Sequence, residues 1–106
     1  MPVIQDNDKR IEVNEEGFLA RPAEWTRETA VLLAKAEEGI EIMTEEHWKV
    51  VEYIRGYYLE TGLAPMVRKV CQNSGFSLKQ IYGLFPGGPA KGACKVAGLP
   101  KPDGCV

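Results

Sequence analysis

Histidine occurs once in this 106-residue chain, at position 47, and cysteine three times. A structural zinc site takes four Cys or His ligands at short, recognisable spacings. With no Cys-x-x-Cys and the only histidine remote from the thiols, no metal site is expected. Three cysteines are too few for a disulfide scaffold, and the odd count leaves at least one unpaired. No apolar run approaches the roughly 20 residues that span a bilayer, so membrane insertion is not expected. Residues 1–10 are polar and lack the apolar core of a secretory signal, which implies a cytoplasmic protein with reduced thiols. A cofactor motif and an acid–base constellation are missing too, so an enzyme acting alone is not expected.

What is present fits one domain. Hydrophobic residues make up 44% and charged residues 26% of the chain, ordinary values for a globular protein with a modest core. The net charge of −2 is unevenly spread. Residues 1–54 hold six Lys/Arg against thirteen Asp/Glu, whereas residues 55–106 hold seven Lys/Arg against Glu60 and Asp103 alone. A basic C-terminal half suits an anionic partner, although a solvated surface would give the same count.

Residues 10–19 alternate apolar and polar around Asn14 and Gly17, which predicts a short β-hairpin packed against helices. Pro22 opens a helix that runs to about Glu37 and stops at Gly39. Thr44 caps a second helix, with Glu45 and Glu46 in its first turn and Gly62 at its end. Its stripe of Trp48, Val51, Ile54 and Tyr58 makes it the central helix, with aromatics that read as core. Pro65 starts a short helix to about Asn73, in which Cys71 is a small buried hydrophobe. After the Ser74-Gly75-Phe76 turn, Ser77 caps a helix over Leu78–Leu84, giving a helix-turn-helix outline. The outline is common in plain helical packing, and Lys79 and Gln80 without an arginine make DNA a weak candidate partner. Pro89 opens a last helix to Ala97, stopped by Gly98.

The remaining tail, residues 98–106, carries prolines at 100 and 102 and cannot be helical. The predicted division is therefore a helical domain over 1–97 and a mobile arm over 98–106 that can extend about 25 Å. Cys105 sits beside the last residue and Cys94 lies eleven positions upstream. Lys91 and Lys95 flank Cys94 and are expected to favour its thiolate, while the neighbouring carboxylate of Val106 keeps the Cys105 pKa ordinary or raised. A thiol of higher pKa is the stronger nucleophile, so Cys105 reads as the reaching thiol and Cys94 as the resolving one. Such a pair can pick up sulfur or an oxidising equivalent elsewhere and lock it by an internal bridge. The competing reading is two incidental surface cysteines.

The closing stretch Leu84-Phe-Pro-Gly-Gly-Pro-Ala-Lys-Gly-Ala-Cys-Lys-Val-Ala-Gly-Leu-Pro-Lys-Pro-Asp-Gly-Cys-Val resembles the C-terminus of the DsrC/TusE family. The likeness extends through Glu15-Glu-Gly-Phe-Leu, Thr44-Glu-Glu-His-Trp, Tyr57-Tyr58 and Ala64-Pro-Met-Val-Arg. The resemblance implies a mainly α fold: a small orthogonal helical bundle with a helix-turn-helix-like region, a short N-terminal β-hairpin and a mobile C-terminal arm. It implies a sulfur carrier and co-substrate of the α and β subunits of dissimilatory sulfite reductase. Cys105 would accept sulfite-derived sulfur at the sirohaem of that partner, this chain holding no cofactor itself. Cys94 would then close a trisulfide, which a membrane-bound reductase complex reduces to release sulfide. Having both cysteines places the chain nearer DsrC than TusE, whose members relay persulfide sulfur to tRNA thiolation through the penultimate cysteine alone. The short Gln72–Gln80 region matches the form found in sulfate and sulfite reducers. On charge alone, Lys91, Lys95, Lys101, Arg55 and Arg68 are candidate docking residues. Two further readings stay open: the tRNA-thiolation relay, and a DNA-binding regulator with a redox switch in the arm.

Overall fold

Helix caps set the frame. A computed structural model describes residues 3–6 and 9–100. Thr26 accepts a hydrogen bond from the Thr29 amide (3.2 Å) and starts helix α1, Arg27–Glu38, which Gly39 ends with φ at +67°. A side-chain oxygen that satisfies one free amide of a helix start stabilises it by about 1 kcal/mol. Helix α2, Glu45–Thr61, opens with a reciprocal pair in which His47 supplies the partner for the Thr44 amide. The Thr44 amide donates to His47 Nδ1 at 3.0 Å, and Nε2 lies 3.0 Å from the carbonyl of Leu84. That arrangement assigns the proton to Nε2. The one histidine thus ties α2 to the backbone at Leu84, with its ring edge-on to Phe85 at 5.2 Å.

Helix α3, Val67–Ser74, and helix α4, Leu78–Leu84, are joined through Gly75, with Ser77 and Gln80 forming a second reciprocal cap. The chain then makes a wide π-type turn over Pro89–Ala93 and continues directly as the single-turn helix α5, Cys94–Val96. Strands β1, Val3–Asp6, and β2, Lys9–Glu12, pair antiparallel, with Ile4 opposite Ile11, and β1 packs on α1.

The core is gathered from every helix. Ala30 and Ala34 of α1 meet Val50, Val51 and Ile54 of α2, Val70 of α3 and Ile81 of α4, all buried. The C-terminal segment supplies Ala93, Cys94, Val96, Ala97 and Leu99 to the same cluster. A fully buried aliphatic side chain is worth roughly 1.5–3 kcal/mol, so α5 is held by packing that its three residues could not replace by helix propensity.

The mainly helical fold with a short hairpin agrees with the expectation, and the bounds of α2 and α4 do too. Four boundaries move. The last helix, expected over residues 89–97, is a π-type turn over Pro89–Ala93 followed by a single α-turn, Cys94–Val96. The hairpin lies over Val3–Glu12, and the Asn14–Gly17 turn holds only a single bridge between Val13 and Leu19. Pro22–Glu24 is a separate 3-10 turn, because Thr26 breaks to an extended conformation before α1. Pro65 precedes α3 by two residues, leaving Met66 as its extended N-cap.

Candidate functional site

The segment leaving α4 is anchored by contacts that only glycine permits. Phe85 is fully buried, and the Gly87 amide donates to Glu38 Oε1 at 2.8 Å. A Cβ on Gly92 would overlap the same carboxylate and crowd Phe85. Glu38 and its neighbour Glu37 sit at the C-terminal end of α1, where the helix dipole disfavours anions. Both have tertiary partners. Glu38 holds Gly87, and Glu37 Oε1 lies 3.5 Å from Lys95 Nζ.

This clamp places Cys94 at the junction between the wide turn and α5. Its side chain is only 3% exposed, and burial pushes the thiol up to about 12. The expected lowering by Lys91 and Lys95 does not occur: burial of the thiol outweighs it. Lys91 is exposed to solvent. The Lys95 ammonium is turned to Glu37 and lies over the Phe18 ring at 5.2 Å. A buried thiol in this protonation state is neither a nucleophile nor an oxidation target until it is uncovered.

Beyond Cys94 the chain is fastened at several points. Trp25 Nε1 donates to the carbonyl of Val96 (2.9 Å), and the Gly98 and Leu99 amides donate to the carbonyls of Lys95 and Cys94 (3.0 and 3.1 Å). Gly98 adopts φ +77°, and a Cβ there would collide with the Trp25 indole. Arg55 reaches the same place from α2. Its Nη1 donates to the carbonyls of Ala97 and Gly98 (3.3 and 3.5 Å) and Nη2 to that of Pro22 (2.8 Å), with the guanidinium over the rings of Trp25 and Tyr58. Burial lowers the Arg55 pKa, with Tyr58 acting in the opposite direction.

Of the candidate docking residues, Lys91 and Arg68 are on the surface. Arg55 and Lys95 are not available for docking, because both are buried and spend their donors inside the fold. Gly98 and Leu99, assigned to the arm on sequence, are buried members of the packed body. Cys105 and Lys101 lie outside the described residues, and so does the tip of the expected arm. Cys71 is half-buried on α3 against the core. Among the described residues no group of His, Cys, Asp or Glu is arranged to hold a metal ion. Likewise, no helix among them is long and apolar enough to cross a membrane.

The sequence reading missed Glu37, Glu38 and Trp25. A signal existed for the two acids, since carboxylates placed against the dipole of a helix end call for partners elsewhere in the fold.

Comparison with known proteins gives concordant matches. The family described as DsrC like protein matches residues 5–106. The chain is 51% identical, over 100% of both sequences, to the sulfite reductase, dissimilatory-type subunit gamma, of Nitratidesulfovibrio vulgaris Hildenborough. It is 42% identical to the sulfurtransferase TusE of Escherichia coli K12, covering 92% of this chain and 94% of that one. Among solved structures, the oxidized gamma-subunit of the dissimilatory sulfite reductase (DsrC) from Archaeoglobus fulgidus superposes with a TM-score of 0.86. That match has 43% identity and covers 99% of this chain and 100% of that one.

Proposed function

The chain belongs to the DsrC family, and on that premise we propose that it is a sulfur-carrying, gamma-subunit-like partner of dissimilatory sulfite reductase. The observation that carries the reading is the 51% identity, end to end, with a protein named as that subunit. Cys105 is the acceptor and Cys94 the closing thiol. The α and β subunits are the partners, and Cys105 works at their sirohaem.

The electron count closes. Two electrons from the reductase bring the sulfur of sulfite from the +4 to the +2 state. Bonding to Cys105 and then to Cys94 draws two more electrons from the two thiol sulfurs. The middle sulfur of the trisulfide is then at zero, the sulfite oxygens having left as water with protons from the thiols and solvent. Four electrons and four protons from a second reductase, proposed to be membrane-bound, cleave both S–S bonds, release hydrogen sulfide and restore both thiols. The burial of Cys94 suits this order. A thiol that stays protonated in the core does not compete with Cys105 for the first sulfur, and it enters only when the loaded tail is brought against it.

The test is the intact mass of the wild type, Cys94→Ala and Cys105→Ala after turnover with sulfite, a dissimilatory sulfite reductase and an electron donor. The expected result is a wild type that gains one reductant-removable sulfur and loses both thiols, with Cys105→Ala inert. A second reading is favoured by the likeness to TusE: a persulfide relay in which Cys105 alone suffices. Productive loading of Cys94→Ala would support that relay, and no loading of any form would reject both.

A further inference from the structure

We propose that the exposed apolar face of Leu59, Leu63 and Met66, with Arg68 at its edge, docks this chain on its sulfite reductase partner, against an apolar patch rimmed by carboxylates. The inference deepens the sulfur-carrier reading and rests on it.

The face differs from ordinary solvated surface in its composition. Leu59, Leu63 and Met66 are 67%, 67% and 63% exposed, although they fall within eight consecutive residues. The connection from α2 to α3, residues 62–66, reads Gly-Leu-Ala-Pro-Met and holds no polar side chain. Surface connections are normally polar, and clustered exposed apolar residues mark sites of association.

Two positions here also forgo helix stability. Met66 is the N-cap of α3 and offers no side-chain hydrogen bond, whereas Thr26, Thr44 and Ser77 cap α1, α2 and α4. Gly56 is exposed within α2, and a Cβ on it would meet nothing within 4 Å. Neither crowding nor an unusual backbone angle calls for glycine there. Serine at the first position and a larger side chain at the second would hold the helices better. An apolar cap and a bare stretch of helix one turn before Leu59 instead allow another surface to approach closely.

The ridge is held in shape and its charge is of one sign. The Thr61 hydroxyl donates to the Tyr57 carbonyl (2.9 Å) and accepts from the Leu63 amide (3.1 Å), while Pro65 is buried. A surface fixed beforehand loses less entropy on association. Residues 61–100 contain five Lys/Arg and no acid. Arg68 is exposed and has no ion pair or hydrogen bond among the described residues, which leaves its planar guanidinium for a carboxylate of the partner. Glu60 follows Leu59 by one residue and is therefore turned about 100° away from it around α2. Leu59 lies one helical turn beyond Arg55, which holds the carbonyls of Ala97 and Gly98. The face is thus about 6 Å along α2 from the place where buried Leu99 gives way to exposed Pro100, so docking here brings the Cys94 segment to the interface.

The test is the dissociation constant of the reduced full chain with αβ dissimilatory sulfite reductase, measured by biolayer interferometry at low and high salt. Met66→Ser and Gly56→Gln are each expected to weaken binding about tenfold while the unfolding midpoint holds or rises. A purely structural role would not separate the two readouts in that way. Arg68→Gln is expected to weaken binding roughly fivefold at low salt and to flatten the salt dependence. Ile42→Ser, at an exposed apolar residue before the opposite end of α2, is expected to bind as the wild type does. Unchanged binding by both Met66→Ser and Gly56→Gln would overturn the proposal. In that event, self-association lost in Met66→Ser would assign the face to a second copy, and faster Cys105 alkylation in the isolated variant would assign it to the chain's own tail. Failure of the wild type to bind would instead overturn the partner reading beneath it.

Discussion

Cys94 offers the sharpest test of how burial governs this chemistry. A variant carrying Cys71→Ser and Cys105→Ser keeps Cys94 as its only thiol. Burial raises that thiol from its ordinary 9.0 to about 12. At about pH 8 an ordinary thiol is roughly one-tenth thiolate, whereas Cys94 is thiolate in about one molecule in ten thousand. Iodoacetamide reacts with the thiolate; its population falls about a thousandfold while the more basic thiolate regains roughly twentyfold in nucleophilicity, so the native rate is expected to be at least about fiftyfold below the rate in concentrated urea. The side chain is also 3% exposed, which adds to the suppression. Because the folded pKa is raised, the rate should climb about tenfold per pH unit past 9.0 and approach its plateau only near 12. Alkylation followed by intact mass, native and in urea across alkaline pH, measures both quantities. A native rate within about tenfold of the urea rate, or a plateau near 9.0, would refute the reasoning.

Three further outcomes are expected from denaturant titrations. Gly98→Ala should cost about 2–4 kcal/mol, as a side chain at φ +77° is strained and also collides with Trp25. Gly75→Ala, at φ +79° with open space around it, should cost only about 1–2 kcal/mol, and equal losses would refute the clash. Glu37→Gln leaves the Lys95 ammonium buried without a charged partner and should destabilise by roughly 3 kcal/mol. Changing Glu37 and Lys95 together to Met should recover most of that loss, and a double variant no better than the single one would argue against the pairing. Ser77→Ala removes the acceptor of the Gln80 amide and should cost about 1 kcal/mol.

Local signals carried the helices into view and tertiary effects hid the site. Thr44, Gly62, Ser77 and the apolar stripe of α2 act within a few residues of themselves, so α2 and α4 were legible from the chain alone. The hairpin was displaced because Asn14 and Gly17 do form a turn, closed by the Asn14 amide donating to Phe18, yet pairing beyond it ends at one bridge. Nothing in the sequence around Val3–Asp6 outweighed that stronger turn chemistry. At the site, Lys91 and Lys95 promised a lowered thiol pKa from proximity in sequence. The core that closes over Cys94 is built from four other helices, and its desolvation reverses the sign. Arg55 looked like surface charge for the same reason: its carbonyl partners lie 33 to 43 residues away.

The wide turn over Pro89–Ala93 carries more residues than an α-helical turn would. In a helix each residue rotates the chain by about 100°, so removing one residue here, which lets the turn tighten, would swing the Cys94 thiol a quarter-circle or more away from the core. Spacing in this stretch is therefore a form of information. A one-codon deletion between Gly88 and Cys94 would act as a thiol-loss mutation while every cysteine was still encoded.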